Sequence, residues 1–177
     1  MPHTYMRCKQ DTSTALKGIC VARISTVPFF VVSQLKTQIE SLVAHGATVT
    51  VVSSDGAEVS DQGNFHNAQW RVIEIPRALS PLKDIYAVWQ LFQFFLRSRI
   101  QVAHSTTPKA GLLTAVAARL AGVPIRLHTF TGQPWANKHG LGRWLVRSCD
   151  WLIQSLNTVC YTDSESQREF LITLGRL

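Results

Sequence analysis

The chain has 177 residues, 46% hydrophobic and only 16% charged, which is enough apolar material for a real core in one large domain or two small ones. A formal net charge of +7 points to an anionic partner, whether phosphate, nucleic acid or a membrane surface. The four cysteines, Cys8, Cys20, Cys149 and Cys160, form no C-x-x-C pair and match no zinc spacing, so they read as reduced thiols with no metal site.

Residues 1–17 show neither a period nor an apolar segment and read as a disordered leader, not a secretory signal. Ile19–Ser25 reads as a buried strand. Leu35, Ile39, Leu42 and Val43 then recur at helical spacing over Gln34–His45, with Gly46 as the stop. Thr48–Ser53 is a valine-rich strand, Asp55–Gln69 a loop, and Arg71–Ile75 a third strand. Ser80-Pro81 opens a helix running to about Arg99, with Ser as cap and Pro at the first helical position. Gln101–His104 is a short strand, and Thr107-Pro108 opens a helix that ends at Gly122. Pro124–Thr129 is a strand, Phe130–Gly140 a long loop, Leu141–Leu156 a helix and Thr158–Thr162 a strand. Ser164 and Gln167 form a capping box for a last helix that Gly175 ends.

This alternation predicts an α/β fold: one doubly wound, mostly parallel Rossmann-like sheet over residues 18–177, with strands one and four side by side at a switch point. In such sheets ligands bind outside the carboxyl ends of the strands. That rule selects Ser25–Phe30, His104–Lys109, His128–His139 and Asp163–Ser166, where the unusual residues of the chain cluster. The segment after strand one has no glycine and there is no Walker A loop, so neither a dinucleotide cofactor nor a P-loop is expected. No cofactor and no metal are assigned.

Lys109 falls in the first turn of its helix, where a cation opposes the helix dipole unless an anion such as phosphate sits beside it. His128 closes the fifth strand and is expected to face the open cleft, ready to donate, accept or carry charge. In the loop that follows, Trp135 either stacks on a sugar or caps the core.

One helix carries more apolar surface than one sheet face can cover. Leu82–Leu96 is apolar nearly all round and includes Trp89. Leu141–Leu156 sets Arg143 and Arg147 four residues apart, with Trp144 and Trp151 nearby, a combination suited to lipid headgroups. The most hydrophobic stretches, Val27–Val32 and Ile85–Leu96, are too short to span a bilayer. Contact with an anionic membrane is expected, whereas no helix-turn-helix, RNA-binding aromatic motif or basic run supports a nucleic-acid partner.

The stretches "STVPFF", "HSTTPKAGLL", "HTFTGQ.W" and "DS.SQR.FL...G", in this order, resemble the amino-terminal domain of family 4 glycosyltransferases of the GT-B fold, especially bacterial enzymes of capsule, O-antigen and glycan assembly. The resemblance implies retaining transfer of a sugar from a nucleotide-sugar donor to a polyprenyl-diphosphate-linked sugar or polysaccharide acceptor. It places the acceptor on this domain and the donor on a carboxy-terminal domain that this chain lacks, so the chain alone is expected to be inactive. It maps the family's strand-end histidine onto His128 as the catalytic residue. It also sets the acceptor against Thr26, Thr106, Thr107, Lys109, Thr131, Gly132, Gln133 and Trp135. The expected location is cytoplasmic, peripheral at the inner face of the cell membrane, with Trp89, Arg143, Trp144 and Arg147 at the bilayer. The rival reading is a non-catalytic scaffold that docks a separate catalytic subunit.

Overall fold

The apolar strands and the helices between them assemble as the alternation predicts. The structure is a computed structural model that describes residues 14–59, 67–132 and 139–173, the side chain of Phe170 excepted. The strands are β1 (Cys20–Ile24), β2 (Thr48–Ser53), β3 (Gln69–Val72), β4 (Val102–Thr106), β5 (Ile125–Phe130) and β6 (Val159–Thr162). They form one sheet in the order β3-β2-β1-β4-β5-β6, with every neighbouring pair parallel. The order reverses between β1 and β4, which lie side by side as expected.

The helices are α1 (Pro28–Phe30), α2 (Lys36–Ala44), α3 (Pro81–Arg97), α4 (Pro108–Leu120), α5 (Gly140–Leu156) and α6 (Glu165–Thr173). Successive strand residues point to opposite faces. Thus Val21, Val49 and Val51 pack with Leu35 and Ile39 on the α2 side. Ala22, Ile24 and Ala103 pack with Leu91, Phe94, Ala110 and Ala117 on the α3/α4 side. α4 runs between α3 and α5, and it can lie close to the sheet because Ala110, Gly111, Ala115, Ala117 and Ala118 are small and buried.

Several boundaries shift. Helical backbone begins at Pro28, not Gln34, and passes through a π-helical turn, Val31–Leu35, before α2. Pro28 opens it because the fixed φ of proline suits the first helical position. Ser80 does not cap α3 with its hydroxyl; its N–H instead donates to the Asp84 carboxylate at 3.3 Å. The Ser164–Gln167 pair does cap α6: the Ser164 hydroxyl accepts the Gln167 N–H at 3.2 Å, and the Gln167 side chain accepts the Asp163 N–H at 2.9 Å. Of the expected leader, residues 14–17 are tied down, with Leu16 N–H bonded to the carbonyl of His45 at 2.8 Å. Residues 1–13 lie outside the described residues, as does Gly175. No helix among the described residues is long and apolar enough to cross a membrane.

Candidate functional site at the carboxyl edge

Each strand delivers a short segment to the carboxyl edge, and the segments after β1 and β4 meet at the switch point. There the hydroxyls of Thr26 and Thr107 lie 3.0 Å apart, and Thr107 Oγ1 accepts the Thr26 N–H at 3.3 Å. Thr107 holds a positive φ of 76°, a costly conformation for a β-branched residue. It precedes Pro108 at the start of α4, whose first turn has no capping side chain. The dipole and open amides of α4 therefore point at the threonine pair. Arg77 lines the same hollow with Thr26, Thr107 and Lys109.

Lys109 is turned elsewhere. Its ammonium sits 2.8 Å from the Asp84 carboxylate and also bonds the carbonyl of Ala78. Its charge is thus compensated inside the chain, and it holds the start of α3 against α4 instead of waiting for a phosphate. That corrects the expectation drawn from its place in the helix.

His128 is a second correction. Its side chain leaves the sheet on the α4 side and is 1% exposed. Its Nδ1 lies 2.9 Å from the Ser105 hydroxyl, and the ring packs edge-on against Phe130 at 4.6 Å between centroids. Burial lowers its pKa to about 4, against an opposing hydrogen bond to Ser105, so the ring is neutral at pH 7. It does not face the cleft. The alternation of β5 puts Thr129 and Leu127 on the open side and His128 underneath.

The open side of β4 and β5 carries a different cluster. Arg23, in the interior of β1, is 1% exposed, and its Nη2 bonds the Gln38 side chain at 3.1 Å and the Thr106 hydroxyl at 3.5 Å. His104 Nε2 meets the Thr129 hydroxyl at 2.9 Å. The pKa of His104 is lowered to about 3, first by burial and then by the charges of Arg23 and His128. Arg23, Thr106, Thr131 and Asp163 border a hollow at the edge. It continues beneath α2 into a groove of about 770 Å³ that His104, Thr129 and Tyr161 also line. A polar surface of this kind can hydrogen-bond hydroxyl groups in both directions. Sequence reasoning did not single out Arg23, although a lone charged residue inside the apolar run Cys20–Ile24 was a signal.

Of the remaining site residues, Thr26 and Thr106 are buried at the edge, and Thr131 and Gly132 are half-buried. Gln133 and Trp135 lie outside the described residues. Trp89 and Trp144 are 53% and 65% exposed. Arg143 and Arg147 are half-buried on the flank of α5 that carries the buried Asp150, while Trp144 and Trp151 face outward. The two arginines therefore do not share the tryptophan face, because one residue along a helix turns the side chain by about 100°. Among the described residues no cluster of His, Cys, Asp or Glu could hold a metal ion.

Solved structures share this architecture. MurG of Acinetobacter baumannii superposes with a TM-score of 0.58 and 15% identity, over 81% of this chain and 41% of that one. The UDP-N-acetylglucosamine 2-epimerase of Rickettsia bellii gives 0.65 and 12%, over 90% and 42%. Such low identities establish the Rossmann-like fold alone.

In sequence, the capsular polysaccharide biosynthesis glycosyltransferase CapM of Staphylococcus aureus is 29% identical over 143 residues, 78% of this chain and 36% of the relative. An Escherichia coli UDP-Gal:alpha-D-GlcNAc-diphosphoundecaprenol alpha-1,3-galactosyltransferase is 36% identical over 56 residues, 32% of this chain and 14% of that enzyme. The chain thus spans little more than a third of the longer-matching relative. Residues 31–176 match the family described as "Glycosyl transferase 4-like domain", which includes the strained start of α4 and all but the first strand of the sheet, and the chain belongs to that family.

Proposed function

We propose that this chain is the acceptor-binding half of a retaining glycosyltransferase, which moves a sugar from a nucleotide donor to a lipid-linked or polysaccharide acceptor. The donor is held by a second domain outside these 177 residues, so the chain alone does not turn over. The observation that carries the reading is the Thr26–Thr107 pair at the switch point, with a strained Thr107 opening α4. Backbone strain persists where the surrounding structure enforces it, and such positions cluster at binding sites. Two hydroxyls and the uncapped amides of α4 suit the diphosphate of an acceptor, with Arg77 at the rim. His128 supports this edge from beneath by fixing the spacing of β5 and α4, as a positioning residue.

A lipid-linked acceptor stays in the bilayer, so the domain has to reach it there. The outer face of α3 exposes Leu82, Ile85, Tyr86, Trp89 and Leu96, and α5 exposes Leu141, Trp144, Leu145 and Trp151. Both helices belong to the layer that flanks α4, beside exposed Lys83, Arg97 and Arg119. This face is the membrane-contacting surface in our reading, at the inner leaflet.

The test is calorimetry with a short-chain polyprenyl diphosphate carrying one N-acetylglucosamine, beside a panel of UDP- and GDP-sugars. Saturable binding of the first, weakened by Thr26→Val with Thr107→Val, is expected. Micromolar binding of a nucleotide sugar to this chain would overturn the division of roles.

A further inference from the structure

The guanidinium of Arg23 is buried without a full set of hydrogen-bond partners. It is 1% exposed, its Nε and Nη1 make no hydrogen bond, and among the described residues it forms no ion pair. A buried cation without a carboxylate is expensive, and the cost shows in a pKa lowered to about 10 by burial. The same side chain lines both the hollow at the carboxyl edge and the groove beneath α2. The two cavities also share Gln38, Thr129 and Asp163, so they form one continuous trough.

We infer that this trough is a carbohydrate subsite that takes one or two neutral sugar rings of the acceptor glycan, with the Arg23 guanidinium as its floor. The inference rests on the acceptor reading above and extends it from the diphosphate to the sugar. The composition of the walls decides against a simple anion. One cation, Arg23, is balanced by one carboxylate, Asp163, which lines both parts of the trough and would repel a phosphate. A sugar hydroxyl both donates and accepts. It can accept hydrogen bonds from Arg23, donate one to Asp163, and do either with Thr37, Thr129 or Tyr161. Leu42 and Leu127 offer apolar wall for the C–H face of a ring. His104, kept neutral beside Arg23, adds a donor or acceptor without adding charge. A volume of about 770 Å³ is in the range of sites for small ligands.

Chemical-shift titration of the 15N-labelled 177-residue chain tests this. Lactose and chitobiose are added in one arm, and sodium phosphate and acetate in another. The disaccharides are expected to move the Arg23 Nε–H and the amides of Thr129 and Tyr161 saturably, while the anions leave them in place. Arg23→Met should weaken binding by about tenfold or more, since hydrogen bonds to a charged group are lost. Asp163→Asn, at an exposed position that spares folding, should weaken it severalfold. Anions that move the Arg23 signal while sugars do not would make this an anion site and overturn the proposal. Silence of all three signals toward both sugars, with the protein folded, would also overturn it. Inorganic diphosphate, followed at the amides of Thr26 and Thr107, reports on the acceptor edge separately, so either reading can fail alone.

Discussion

Gly111 of α4 faces the ring of His128 so closely that a β-carbon built on it would lie 2.3 Å from Cε1 and 2.7 Å from Nδ1. No side chain fits between the helix and β5. Gly111→Ala must therefore push the buried ring or the helix aside, at a cost of about 1–3 kcal/mol. Because His128 is the obstacle, His128→Ala should relieve part of that cost. Chemical denaturation of the two single variants and the double variant measures the coupling, and strict additivity would contradict the contact.

The same burial makes both strand histidines sensitive to acid. In the unfolded chain a histidine protonates near 6.5, whereas His128 and His104 resist protonation until about 4 and about 3 in the folded state. Above pH 6.5 both states are neutral and stability is unaffected. As pH falls through 6.5 the unfolded state takes up protons that the folded state refuses, and stability declines until the folded pKa values are passed. Each histidine contributes a slope of at most about 1.4 kcal/mol per pH unit in that window. Thermal melts from pH 7 to pH 4 should show the decline, and His128→Phe with His104→Gln should flatten it.

Lys109 and Asp84 make a third test, because their 2.8 Å pair is mostly buried, each side chain being 16% exposed. Breaking a buried pair from one side strands a charge, which costs about 3–5 kcal/mol when burial is complete and less here. Lys109→Met should therefore destabilise more than Lys109→Met with Asp84→Leu. If Lys109 instead serves a ligand, the single variant would keep its stability and lose only binding of the polyprenyl diphosphate.

The sheet and its helices were readable because their signals are local: valine-rich strands, Ser-x-x-Gln at α6, Pro at the start of α3 and α4. The sides taken by individual residues were less so. Period-two alternation says that His128 and Thr129 point apart, but β5 has polar or ring-bearing residues on both faces, and only α4 packing through Gly111 decides which goes under. Lys109 reads as an anion ligand until Asp84, 25 positions upstream, is brought beside it by α3. Thr107 gave no sign of its positive φ, since a strained threonine has no sequence signature. In α5 the arginines and tryptophans alternate so closely that nearness in sequence hid the turn between them.

That separation of faces on α5 changes how the membrane reading is tested. Trp89 and Trp144, both more than half exposed, stand on α3 and α5 beside exposed leucines, and no buried role explains them. Arg143 and Arg147 lie on the inner flank of α5, so reversing their charge would disturb packing as well as any bilayer contact. The informative basic residues are Lys83, Arg97 and Arg119, which are exposed in the same helix layer. Each can add on the order of 1 kcal/mol near an anionic surface, an attraction that salt screens. The chain should sediment with vesicles of phosphatidylglycerol and phosphatidylethanolamine, and less well with phosphatidylcholine alone. Trp89→Ser with Trp144→Ser should weaken both by removing apolar insertion. Lys83→Glu with Arg119→Glu should weaken only the anionic case and abolish its salt dependence. Arg143→Glu with Arg147→Glu should instead show first as a lower melting temperature, because charges on the flank of Asp150 are being reversed. A folded chain that ignores both vesicle types would remove the membrane from its function.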